Sequence, residues 1–148
     1  MLRWFSNWLL VEEDSMAAYE AALRAHRMAL VFEILGTPSG FDFYLEDPSG
    51  NRWEMGSDAP LGQITARCPI LADISPHGAA DPEITVQLYR NGELWQSECG
   101  SFEASGPAVY RMKVSMVPHH LIEFLGEDPE QWIRSYPWIY SNAIRVGY

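Results

Sequence analysis

The sequence predicts a mainly β domain, an antiparallel β-sandwich of immunoglobulin-like outline with one helix near its N-terminus. Apolar and polar residues alternate in several short segments, as in strands that bury one face. Turn-forming residues separate these segments at short intervals, and no helical pattern lies between them, which argues against a βαβ architecture. The 148 residues are enough for one domain with a core of its own.

The N-terminal part predicts a strand followed by a helix. The first ten residues are apolar and aromatic but lack the aliphatic core and cleavage site of a signal peptide. Asp14 or Ser15 can cap a helix over 15–26, in which Met16, Tyr19, Leu23 and His26 share a face. We therefore predict a lead-in segment with a helix over 1–26 and a sandwich over 27–148, together forming one compact domain.

From residue 27 onward the apolar pattern has the period of a strand. The run 27–35 is almost continuously apolar and predicts a strand buried on both faces. The segment 41–46, the turn 47–51 and the segment 52–55 predict a hairpin, and Asn91-Gly92 predicts a second one with a type I′ turn. Other predicted strands cover 62–70, 84–89, 110–116 and 136–146, the last broken at Ser141-Asn142. The loop 75–82 is rich in proline, glycine and alanine, and 126–131 allows one helical turn at most.

Charge narrows the classes of partner. The net charge is −10, from 20 acidic and 10 basic residues. Because nucleic acids and anionic membranes are bound chiefly through cationic side chains, neither is an expected partner. No apolar run is long enough to span a bilayer, so we expect a soluble chain, and its compartment is left open.

Cysteine and histidine give no motif for a metal or a nucleophile. Cys68 and Cys99 are too few for a disulfide scaffold or a zinc cage, and we favour two separate, partly buried thiols over a single pairing. His119 and His120 are adjacent, so on a strand they would point to opposite faces; His26 ends the helix and His77 lies in a loop. We therefore expect no metal, no cofactor and no catalytic residue in this chain, while a small hydrolase whose site assembles only in space stays an alternative.

Six tryptophans are the most distinctive feature of the composition. We favour a core or interface role for them, because large aromatic side chains contribute mainly through buried area. The alternative is stacking on sugar rings by Trp53, Trp95 or Trp138, of which Trp95 is the most interesting because it follows the hairpin turn. The candidate ligand or interface residues are Trp4, Trp8, Trp53, Trp95, Trp138, Tyr140 and Asn142.

Several segments, taken in order, resemble a known family. They are 5–10 (FSNWLL), 21–27 (AALRAHR), 40–44 (GFDFY), 55–58 (MGSD), 86–92 (VQLYRNG), 107–114 (PAVYRMKV) and 137–146 (PWIYSNAIRV). They are similar to the "F.NHLLL", "AL..GR", "GF.F.A", "MGDE", "L.RNG", "GVYRVEV" and "PWIFSNPIYV" segments of PHP-domain metallohydrolases of the CehA/McbA type. Four positions depart from the family pattern: Trp8 replaces histidine, His26 glycine, Ser57 an acidic residue and Ala143 proline.

The resemblance covers nearly the whole chain but only the C-terminal accessory region of the family. Family members are metal-dependent phosphoesterases or related hydrolases whose metal site lies in an upstream α/β barrel. The resemblance therefore implies a non-catalytic accessory domain, either an excised fragment or a naturally short protein, that packs on such a barrel or supports homo-oligomerisation. The N-terminal aromatic segment and the last strand are the best candidates for that interface, because removal of a barrel would expose them. A divalent metal is expected only in the barrel. A stand-alone module that binds carbohydrate or another small ligand is the alternative.

Overall fold

Two β-sheets lie face to face, which confirms the predicted sandwich. The computed structural model of the chain describes residues 4–72 and 80–148. In chain order the strands are β1 (Ser6–Leu9), β2 (Met28–Val31), β3 (Pro38–Ser39), β4 (Asp42–Glu46), β5 (Arg52–Glu54), β6 (Asp58–Ala59), β7 (Gly62–Arg67), β8 (Ile70–Leu71), β9 (Glu83–Arg90), β10 (Glu93–Gln96), β11 (Gly100–Ala104), β12 (Ala108–Val117), β13 (Tyr136–Ser141) and β14 (Ile144–Val146). The helix α1 spans Met16–Arg24, and 3₁₀ turns cover Glu33–Leu35, His119–Phe124 and Pro129–Trp132.

Strand β12 is the centre of the large sheet. One side pairs with β9, which continues to β10, and the other side pairs first with β14 and then with β13. From β13 the sheet continues through β2 to β1, and from β14 to β6. The small sheet has the order β11-β7-β4-β5, while β3 and β8 form a separate pair. Among the described residues, pairing is antiparallel throughout except between β14 and β6.

The core lies between the two sheets. The predicted alternation along β12 is confirmed, since Tyr110, Met112 and Val114 are at most 1% exposed. They belong to one apolar cluster with Phe43 and Ile64 of the small sheet. Burial of one side chain of this size stabilises the folded state by roughly 1.5–3 kcal/mol relative to its exposure to water, so the cluster holds the two sheets together.

Helix α1 begins and ends with recognisable caps. The Ser15 hydroxyl accepts a hydrogen bond from the Ala18 N–H at 3.1 Å. At the other end the Arg27 N–H donates to the Ala22 carbonyl and the His26 N–H to the Leu23 carbonyl, at 2.9 and 3.1 Å. This is a Schellman motif in which His26 takes the left-handed conformation, with φ 56°. The helix is confirmed, but its predicted apolar face points outward: Leu23 is 46% exposed, whereas Ala22 is buried.

Gly56 lets the end of α1 approach the sheet closely. A Cβ atom at this position would lie 2.0 Å from the Ala25 carbonyl oxygen, and φ there is +91°. Any side chain would therefore collide with the backbone of the helix terminus. The Gly56 N–H also donates to the Ala143 carbonyl at 2.7 Å, which fixes the loop before β6 against the turn before β14.

Both predicted hairpins are confirmed. Asn91 and Gly92 have φ of 52° and 88°, as a type I′ turn requires. The Asn91 side-chain oxygen also accepts from the Val109 N–H at 2.8 Å, which ties the turn to β12. In the other hairpin, β4 and β5 pair on either side of the turn 47–51.

Several predicted elements differ in the structure. The run 27–35 is not one strand buried on both faces: β2 alternates, with Leu30 exposed, and a 3₁₀ turn follows. The predicted strand 62–70 ends at Arg67 and resumes as β8, because Pro69 lacks the N–H that a ladder needs. Strand β1 pairs with β2 as an edge strand of the large sheet, so the lead-in segment contributes a strand to the sandwich.

A disulfide joins Cys68 and Cys99, so the expectation of two separate thiols is wrong. Cys68 directly follows β7 and Cys99 directly precedes β11, and these strands pair with Gly100 opposite Ala66. The pairing brings the two Cα atoms to 5.6 Å, within the range that a disulfide can bridge. A separation of 31 residues carries no such information in the sequence alone.

Candidate functional site

An apolar surface, which we call the aromatic strip, lies on the outer face of the large sheet near its β1 edge. It consists of Phe5, Leu30, Phe32, Pro137 and Tyr140, which line a shallow cleft of about 230 Å³ together with the edge of Trp138. The register places Leu30 opposite Tyr140 on one side and opposite Asn7 on the other.

The side chains of the aromatic strip are exposed although they contact one another. The rings of Phe5 and Phe32 stack with centroids 4.5 Å apart. Phe5 is 60% exposed and Tyr140 42%. Trp4, which precedes Phe5 in the chain, is 57% exposed. The structure thus brings the N-terminal segment and the last long strand together, with β2 between them.

Three of the predicted tryptophans point inward. Trp138 is 1% exposed, and its indole N–H donates to the Gly36 carbonyl at 2.9 Å. Trp8 is half-buried and donates to a Glu33 carboxylate oxygen at 3.0 Å. Trp95 is half-buried and packs edge-on against Phe102 and Tyr110. Because Trp138 is almost completely buried, its ring is not available to stack on a sugar. Trp95 packs against the core cluster and covers part of it.

Trp53 helps to hold the turn of the β4–β5 hairpin. Its indole N–H donates to one Asp47 carboxylate oxygen at 3.2 Å. The other oxygen of Asp47 accepts from the backbone N–H groups of Ser49 and Asn51, at 2.8 and 2.9 Å. Hydrogen bonds from Asn51 lower the pKa of Asp47 to about 2, so this carboxylate is ionised at neutral pH. Both side chains have a structural task within the turn.

Asn142 connects the two strands that pair with β12 on the same side. Its side-chain oxygen accepts from the Ala143 N–H at 2.8 Å, and its own N–H donates to the Met28 carbonyl at 3.1 Å. Next to it, the Ser141 hydroxyl accepts from the Met112 N–H at 2.7 Å, where β12 changes partner. This connection leaves a notch in the sheet.

A second surface, which we call the outer groove, lies at this notch on the same face of the sheet. Its volume is about 800 Å³, and its main side chains are Tyr89, Val109, Arg111, Lys113 and Tyr140. Arg111 lies opposite Tyr89, and Lys113 lies opposite Tyr140, with the ammonium nitrogen 6.0 Å from the ring centroid. Tyr140 therefore borders both surfaces.

His120 is buried within the 3₁₀ turn His119–Phe124, so the strand geometry considered for the two adjacent histidines does not apply. It is 6% exposed, and its Nε2 donates to the Leu35 carbonyl at 3.0 Å. Its Nδ1 has no hydrogen-bond partner within the described residues. Burial lowers the pKa of His120, which keeps the imidazole neutral near pH 7.

Of the described histidines, neither His26 nor His119 forms a metal-binding group with His120. His119 is half-buried next to it, His26 is exposed at the end of α1, and His77 with most of its loop lies outside the described residues. Within 4–72 and 80–148, no three His, Cys, Asp or Glu side chains are grouped so that they could hold a metal ion.

Sequence reasoning missed the residues that complete both surfaces. The almost continuous apolar run 27–35 predicts burial on both faces, whereas Leu30 is exposed. The alternation along 110–116 predicts that Arg111 and Lys113 lie on the outer side of β12, but nothing in the sequence marks them as neighbours of tyrosines. A strictly alternating reading of 28–31 would have found Leu30, whereas the tyrosine neighbours depend on strand register.

No family model, curated protein or solved structure matches this chain. Within the described part of the chain, no helix has both the length and the apolar character needed to cross a bilayer.

Proposed function

We propose that the chain is a non-catalytic accessory domain that packs through its aromatic strip against an upstream metallohydrolase barrel of PHP type. The observation that carries the proposal is the exposure of Phe5, Leu30 and Tyr140 side by side at one edge of the large sheet. Contiguous apolar patches of this kind mark contact surfaces in soluble proteins.

The position of the strip favours a domain joined to the N-terminus as its partner. Phe5 immediately precedes β1, which is the edge strand of the sheet. A domain connected before β1 would therefore emerge next to the strip, and the short connection would raise its effective concentration there. Aromatic side chains at the centre of such a contact supply a disproportionate share of the binding energy.

The first test compares the catalytic activity of the isolated chain with that of a polypeptide in which a barrel precedes it. The isolated chain is expected to hydrolyse no phosphoester with added manganese or zinc, while a polypeptide that joins it to an upstream PHP barrel is expected to be active. Metal-dependent turnover by the isolated chain would overturn the accessory assignment.

The contact itself is tested by charge substitution in the joined polypeptide. We expect Phe5→Asp to increase hydrogen exchange in β1 and β2 and to lower the melting temperature of the barrel. Leu94→Asp is the matched control, because Leu94 is 54% exposed on β10 at the opposite edge of the sheet. Equal effects of the two substitutions would contradict the proposed contact, as would a strip that is occupied by a second copy of the chain.

A further inference from the structure

Arg111 and Lys113 place two positive charges on the outer face of the large sheet of an acidic protein. Acidic residues outnumber basic ones by 20 to 10. Three of the described arginines form ion pairs: Arg24 with Glu20, Arg52 with Asp42 and Glu54, and Arg145 with Asp58. Across the described ranges, neither Arg111 nor Lys113 takes part in an ion pair or a side-chain hydrogen bond.

The two cations lie near each other on one face. They are two residues apart on β12, so their side chains leave the same side of the strand about 7 Å apart along its axis. Like charges at this spacing repel each other. An anion bound between the two side chains would offset this repulsion. The local positive charge contrasts with the net negative charge of the chain.

The other walls of the outer groove are mainly aromatic and apolar. Tyr89 flanks Arg111 on β9, and Tyr140 flanks Lys113 on β13. The lining is completed by Asn91, Gly92, Val109, Met112 and Ser141. The volume of about 800 Å³ lies in the range of small-molecule sites, which combine apolar walls with a few placed polar groups.

We propose that the outer groove binds a small organic anion. Its carboxylate or phosphate group lies between Arg111, whose fork can donate two parallel hydrogen bonds, and the Lys113 ammonium group. Its planar apolar body packs on Tyr89 or Tyr140. This site does not depend on the accessory role, because it requires only residues of this chain.

The test is an NMR titration of the isolated, disulfide-bonded chain with four probes: 2-naphthoate, 2-naphthyl phosphate, neutral 2-naphthol and inorganic phosphate. Shifts of the backbone amides near 109–113 and 140–141 should saturate for at least one of the two naphthyl anions, with a Kd on the order of 1 mM or lower for a ligand of this size. Whichever of these two anions binds with the lower Kd identifies the preferred anionic group, carboxylate or phosphate. 2-Naphthol and inorganic phosphate should each bind at least about tenfold more weakly, because 2-naphthol lacks the anionic group and inorganic phosphate lacks the aromatic body.

Substitutions identify the residues that bind the anion. Arg111→Gln should weaken binding by roughly tenfold or more, and Arg111→Lys should restore part of it because the charge returns without the fork. Arg24→Gln on α1 is the matched control and should change the Kd by less than about twofold, since exposed charges far from a site are screened. The proposal is overturned if no probe saturates below about 10 mM, if 2-naphthol binds as well as the anions, or if Arg24→Gln weakens binding as much as Arg111→Gln.

Discussion

Replacement of both disulfide cysteines by serine, Cys68→Ser with Cys99→Ser, should lower the free energy of unfolding by about 3–4 kcal/mol. The magnitude follows from the length of chain that the disulfide closes. The cysteines are 31 residues apart, and the chain-entropy relation for a loop of this length gives ~3.7 kcal/mol at 25 °C. The folded state should persist, since β7 and β11 remain paired over five register positions from Gly100 to Ala104.

The assay is urea unfolding followed by tryptophan fluorescence, with the oxidised protein, the reduced protein and the double variant side by side. The reduced protein and the double variant should agree with each other. In a thermal scan, the same loss corresponds to a fall in melting temperature of roughly 10 °C for 148 residues. Addition of reductant to the double variant is the internal control and should change nothing.

Two results would refute this reasoning. One is a loss of stability below about 1 kcal/mol, which would mean that the disulfide does not restrict the unfolded chain as the entropy relation requires. The other is the detection of two free thiols in protein unfolded without reductant, which would mean that Cys68 and Cys99 do not pair.

Two further substitutions test local features of the fold. His26→Gly should raise the free energy of unfolding by about 1 kcal/mol, because glycine adopts the left-handed conformation at the end of α1 without a Cβ penalty; His26→Ala, which keeps the Cβ atom, should give no comparable gain in the same urea assay. His120→Gln should flatten the pH dependence of stability: burial lowers the pKa of His120, so the unfolded chain binds more protons below about pH 6.5 and the wild type loses stability as the pH falls from 7.5 to 5. If the free energy of unfolding changed equally with pH in the variant and the wild type, His120 would not be the cause of the pH dependence.

The parts of the fold that were predicted correctly are those fixed by short stretches of chain. The turn at Asn91-Gly92 follows from the φ angles that two adjacent residues accept, and α1 follows from one capping serine and a run of helix formers. The alternation along β12 needed only the two-residue period of a strand. Each of these depends on interactions within about ten residues, which the sequence displays directly.

The errors share a dependence on contacts between distant segments. The disulfide required knowledge that β7 and β11 pair, and the exposure of Leu30 required knowledge of which sheet face is covered. The 3₁₀ turn that contains His120 is held by a hydrogen bond to Leu35, 85 residues earlier, and residues 119–124 show no periodic pattern that would predict it. Secondary-structure propensity depends on residues that are close in the sequence, so it does not report such contacts.

The candidate surfaces depend on strand register even more than the core does. Alternation alone places Arg111 and Lys113 outside, because Tyr110, Met112 and Val114 must face the core. Their chemical significance arises only when β9 brings Tyr89 beside one cation and β13 brings Tyr140 beside the other. A shift of either neighbouring strand by one residue would turn these tyrosines toward the core and leave two solvated cations in their place. For this reason the outer groove is a property of the assembled sheet, and a substitution that changes register without unfolding the domain should abolish anion binding.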